Sequence, residues 1–119
     1  MFEKNYIDSF EDMLQACMDI QAVINNITFN DFKDDMLRYR AIERLFEILG
    51  EAANKIPKEI QEKYPEIPWR NIIGMRNIII HCYERVDLTT LWGAGKKDVA
   101  LLVKPLEEIL KKLYEKEKQ

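Results

Sequence analysis

The run Arg76-Asn77-Ile78-Ile79-Ile80-His81-Cys82-Tyr83 holds the residues best suited to chemistry. His81 is the only histidine of the chain, with an arginine five positions before it and a tyrosine two positions after it. A guanidinium offers a rigid fork of donors to phosphate oxygens, an imidazole exchanges protons near neutral pH, and a phenol can be a ligand or a modifiable nucleophile. Together they suit phosphate chemistry.

The rest of the chain bounds what such a site can belong to. A length of 119 residues suits one domain spanning the whole chain. The apolar runs fall far short of the ~20 residues that span a bilayer, so no membrane partner is expected. The opening Met1-Phe2-Glu3-Lys4-Asn5 is followed by Asp8, Glu11 and Asp12, the wrong charge order for a secretory leader, and a cytoplasmic location is expected. Cys17 and Cys82 lack metal-ligand spacing and read as small buried hydrophobes. The net charge of -3 argues against a broad basic field that coats nucleic acid. If RNA is the substrate, contact should come from a focused cluster, for which Arg70, Arg76, Arg85, Lys96 and Lys97 are the candidates.

The elements that must position these residues are helical. Phe10, Met13, Leu14, Cys17, Ile20, Ile24 and Ile27 recur at three- and four-residue steps and predict a first helix from about Lys4 to Asn26. Thr28 and Asn30 offer capping oxygens ahead of Phe32, Met36, Leu37, Leu45, Phe46, Leu49 and Ala53, a second helix that should end before Pro57. The segment from Pro57 to Tyr64 is a short helical connector with Pro57 in its first turn. Pro68 opens a helix whose apolar residues, Trp69 to Ile80, face several directions, which predicts burial on several sides. Gly74 within it is expected to admit a close neighbour. Asp87 caps a last helix in which Gly93, Gly95 and Pro105 predict a break or kink. With no strand pattern, the expected fold is all-α, an antiparallel bundle of four to five helices. The many-sided apolar helix also predicts self-association.

Arg76 and Asn77 interrupt that apolar helix, so they should be paired or open onto a cleft, since an unpartnered buried charge is costly. At about 100° per residue, Arg76 shares a face with Tyr83, and Asn77 shares another with His81. Arg76 and His81 are therefore not aligned on one straight helix. They converge if the helix ends near His81, or if a second copy supplies the complementary residue. A purely structural reading stays open, in which Arg76 pairs with Glu51 or Glu47, Tyr83 is an interface aromatic, and Lys96 and Lys97 form a solvated face.

The stretch RNIIIHCY fits the Arg, any four, His, any one, Tyr motif of HEPN domains. Gly50-Glu51-Ala52-Ala53, Tyr64-Pro65-Glu66-Ile67-Pro68-Trp69-Arg70, Gly74-Met75-Arg76-Asn77 and Val86-Asp87-Leu88 resemble, in this order, the HepT family of bacterial and archaeal toxins. The resemblance implies a HEPN-like bundle that dimerises, with two motifs facing each other in a composite ribonuclease site. It implies Arg76 and His81 as the catalytic pair, Asn77 as the polar residue that follows the arginine, and Glu51 as support from the second helix. Cleavage would need no metal and no cofactor. It further implies a minimal nucleotidyltransferase antitoxin of the MntA type, which silences the toxin by transferring AMP to Tyr83. The alternative is a non-catalytic HEPN subunit that binds nucleotide or presents substrate to a nucleotidyltransferase, and the acidic chain leaves room for it.

Overall fold

A computed structural model describes residues 6–81 and 87–118. These residues form helices α1 (Ile7–Ile24), α2 (Phe29–Lys33), α3 (Met36–Asn54), α4 (Lys58–Gln61), α5 (Trp69–His81), α6 (Leu88–Gly93) and α7 (Ala100–Glu117), with a π-helical turn at Ala94–Asp98 between the last two. The architecture is the expected all-helical bundle. Helices α1 and α3 pack together as its centre, α5 lies against α3, and α7 lies against α1. None of the described helices is long and apolar enough to cross a membrane.

Local chemistry explains where the elements begin and end. Asn26 adopts φ 72° just after α1, a left-handed conformation that asparagine tolerates and that turns the chain out of the helix. Thr28 and Asp31 then make a reciprocal capping box on α2. The single second helix expected from periodicity is in fact two. Asp35 stops the first and caps the second by accepting from the Arg38 N–H at 3.2 Å, while Arg38 Nη1 donates to the Val23 carbonyl at 2.8 Å and ties α3 to the end of α1. The break lets Phe32 turn fully inward, against the rings of Tyr39 and Trp92.

The long helix α3 ends before Pro57 as expected, but Pro57 is the extended residue preceding α4 and not part of its first turn. The corner is closed by Gln61 Nε2, which donates to the Ile56 carbonyl at 2.9 Å. Trp69 anchors the start of α5. Its Nε1 donates to the Tyr64 carbonyl at 3.0 Å, and both Trp69 and Tyr64 meet the ring of buried Phe10 edge to face. The irregularity expected in the last helix takes the form of the π turn, where Gly95 lies against Ile20 and Ile24 of α1.

Cys17 is buried in the core as a free thiol, and burial pushes its pKa up to about 12. It is therefore a packing group without nucleophilic character at neutral pH. In a Cys82→Ser variant the remaining thiol should resist maleimide until the protein is denatured. Labelling of the native variant at the rate of an exposed thiol would contradict the packing described.

Candidate active site

The α3–α5 contact builds the candidate site. Arg76 is half-buried against α3, Asn77 and His81 are exposed, and His81 is the last described residue of α5. Asn77 and His81, four residues apart, share one helix face. The side chain of Asn77 also reaches back to the arginine, because Arg76 Nη1 donates to Asn77 Oδ1 at 2.9 Å. Asn77 thus links the guanidinium to the face that carries the imidazole. Arg76 Nε, by contrast, is buried without a hydrogen-bond partner among the described residues.

The carboxylates expected to pair with Arg76 are engaged elsewhere. Arg44 Nη1 lies 3.0 Å from Glu47 and 3.7 Å from Glu51, all along α3. No ion pair to Arg76 occurs among the described residues, so its charge is not consumed by a structural bridge there. Glu51 sits in α3 directly after Gly50, the residue packed against Arg76, but its recorded ion partner is Arg44. The Arg44–Glu47 pairing was foreseeable from their spacing of three residues, one helical turn.

Two expectations about α5 need correction. Its apolar residues are not buried on several sides within the chain, since only Trp69 and Ile72 are buried, and Ile78 and Ile80 remain 51% and 40% exposed. Helix α5 packs mainly on α3, which can cover only one of its faces. The close approach expected at Gly74 occurs instead at Gly50, while a side chain added at Gly74 would meet open space. Gly74, Asn77, Ile78 and His81 therefore line a face of α5 that no described element covers. Beside it a groove of about 410 Å³ is lined by Phe46, Leu49, Ile72, Met75 and the exposed Leu101.

Of the suggested basic cluster, Arg70, Lys96 and Lys97 are exposed, and Lys96 lies over the Trp92 ring at 5.3 Å from its centroid. Tyr83, Cys82 and Arg85 lie outside the described residues.

The chain is thus an all-helical bundle that carries Arg76, Asn77 and His81 on one helix. The ribonuclease HepT-like family model matches residues 13–113, and the chain belongs to that family. Among its relatives, "Putative RNase TTE0752" of Caldanaerobacter subterraneus subsp. tengcongensis is 39% identical over 86% of this chain and 91% of its own length. "Putative RNase MJ0125" of Methanocaldococcus jannaschii is 38% identical over 88% of this chain and 90% of its own. "Probable ribonuclease HepT" of Thermococcus cleftensis is 36% identical over 92% of this chain and 99% of its own. No solved structure matches the chain.

Proposed function

We propose that this protein is a metal-independent endoribonuclease whose site is completed by a second copy, and that it is the toxin of a pair controlled by a nucleotidyltransferase antitoxin. The observation that carries the reading is Arg76, a half-buried cation with no carboxylate partner among the described residues, linked through Asn77 to the face of His81. An anion supplied from outside is the natural complement of such a group. Membership of the ribonuclease HepT-like family supports RNA as the source of that anion.

In the proposed reaction the imidazole of His81 takes the proton of an RNA 2'-hydroxyl as its oxygen attacks the adjacent phosphorus. A new bond forms from the 2'-oxygen to phosphorus, the bond from phosphorus to the 5'-oxygen breaks, and the leaving oxygen takes a proton from the imidazolium of the second copy. The Arg76 guanidinium stabilises the charge that grows on the phosphoryl oxygens. The products are a 2',3'-cyclic phosphate and a 5'-hydroxyl. The face of Gly74, Asn77, Ile78 and His81, without a partner among the described residues, favours a second copy docking there, because the open glycine admits a close helix and Ile78 offers apolar area to bury.

Purified protein should cleave single-stranded RNA in the presence of a chelator and leave the cyclic phosphate or its hydrolysis product. A strict need for added metal would contradict the mechanism. Binding of nucleotide with no cleavage would favour the non-catalytic HEPN subunit instead.

Tyr83 is the proposed point of control. Transfer of AMP from ATP would join the phenol oxygen to the α-phosphorus and release pyrophosphate, placing negative charge and a bulky base two residues from His81. With a cognate nucleotidyltransferase and ATP, the chain should gain mass in whole AMP units. Tyr83→Phe should abolish the gain and leave a toxin that the partner no longer silences. Modification that maps to Tyr64 or Tyr114 would remove Tyr83 from this role.

A further inference from the structure

Gly50 is the residue of α3 on which Arg76 rests. A Cβ placed on Gly50 would stand 2.2 Å from Arg76 Cβ, 2.8 Å from its Cγ and 3.1 Å from the Ile72 carbonyl oxygen. Carbon atoms pack at about 3.5–4.0 Å, and the atoms met here are the root of a side chain and helix backbone. No rotamer change relieves such a conflict. Glycine is also a poor helix former, yet this one lies inside a helix of 19 residues at an ordinary backbone φ. Its use at this position is spatial.

The consequence falls on the guanidinium. With α5 pressed onto α3 at this level, Arg76 Nε is removed from water, while Nη1 is held by Asn77 Oδ1. The side chain is thus fixed at its root by Gly50 and at its tip by Asn77. We infer that Gly50 is a positioning residue, whose missing side chain sets the separation of α3 and α5 at which the Arg76 guanidinium meets the scissile phosphate. The inference rests on the ribonuclease reading of the site for its catalytic consequence, and on packing alone for its structural one.

The test compares Gly50→Ala with Gly95→Ala in the full chain. The second variant is an overpacking control, because its Cβ would meet Ile24 Cδ1 at 2.7 Å, the movable tip of a side chain remote in sequence from α5. Each variant is assayed for kcat and KM on RNA, and for solvent exchange of the Arg76 Nε–H by nitrogen-15 NMR. Displacing a catalytic group by on the order of 1 Å can cost about 100-fold in rate, so Gly50→Ala should lower kcat by about that factor with KM nearly unchanged. Exchange of the Nε–H should accelerate in Gly50→Ala alone.

A folded Gly50→Ala with wild-type kcat and a protected Nε–H would overturn the inference, as would equal effects in the Gly95→Ala control. If Gly50→Ala does not fold, Gly50→Ala combined with Arg76→Gly decides, compared with Arg76→Gly alone, since the contact left with the Ile72 carbonyl at 3.1 Å needs only a small shift. Recovery of the fold supports the Cβ conflict as the cause, and failure to recover overturns it. Should no form cleave RNA while the Nε–H still responds to Gly50→Ala alone, the positioning of Arg76 stands and the ribonuclease reading falls.

Discussion

Arg76→Ala and His81→Ala are each expected to reduce kcat/KM for RNA cleavage by about three orders of magnitude, the scale associated with losing a general acid–base group or a principal charge stabiliser. The fold should survive both changes. His81 is exposed at the last described position of α5, and surface substitutions of that kind usually change stability by less than about 0.5 kcal/mol. Among the described residues, truncating Arg76 breaks no ion pair and removes a buried Nε that has no partner there, which offsets part of the packing lost with its aliphatic stem. Arg76→Lys should fall between wild type and Arg76→Ala, since it keeps the charge but loses the planar fork. Cleavage assays paired with circular dichroism and thermal melts check the prediction. Wild-type cleavage by either alanine variant would remove that residue from the mechanism, and a collapse of helical signal would mark it as structural.

Ile78→Asp is expected to convert a dimer to a monomer at micromolar concentration and to remove cleavage with it. Ile78 is 51% exposed within the chain and shares its face with Gly74, Asn77 and His81 on a helix that packs mainly on α3. An aspartate there stays hydrated in the monomer. In a dimer joined through this face it would be desolvated without a partner, a penalty of several kcal/mol that would weaken association by about a thousandfold or more. Met18→Asp serves as a control, because Met18 is 47% exposed but lies on α1, and it should retain both association and activity. Sedimentation of the two variants beside RNA cleavage provides the readout. An Ile78→Asp protein that remains dimeric would move the interface off this face. A monomer with full activity would show that one chain completes the site.

Much of the helical framework was legible because its signals are local. Three- and four-residue apolar spacing, the Thr28 capping oxygen, the stop before Pro57 and the cap at Asp87 each act within one or two turns, and each marks a boundary or face of a described helix. The chemical types of Arg76, Asn77 and His81 were equally plain, as was the offset between the faces of Arg76 and His81. Even the break at Asp35 was local in cause, although the continuing apolar pattern concealed it.

Tertiary structure decided which helices meet and how closely. The sequence contains Gly50 and Gly74 alike, but a close approach belongs to a pair of helices, and α3 brings its glycine to Arg76 while Gly74 opens outward. Charge pattern offered Glu47 and Glu51 to Arg76, whereas Arg44 reaches them first along the same helix. The many-sided apolar character of α5 was visible in sequence. That α3 covers one side, leaving Ile78 and Ile80 exposed within one chain, was not, because periodicity records a helix's apolar faces without recording whether neighbours exist to cover them.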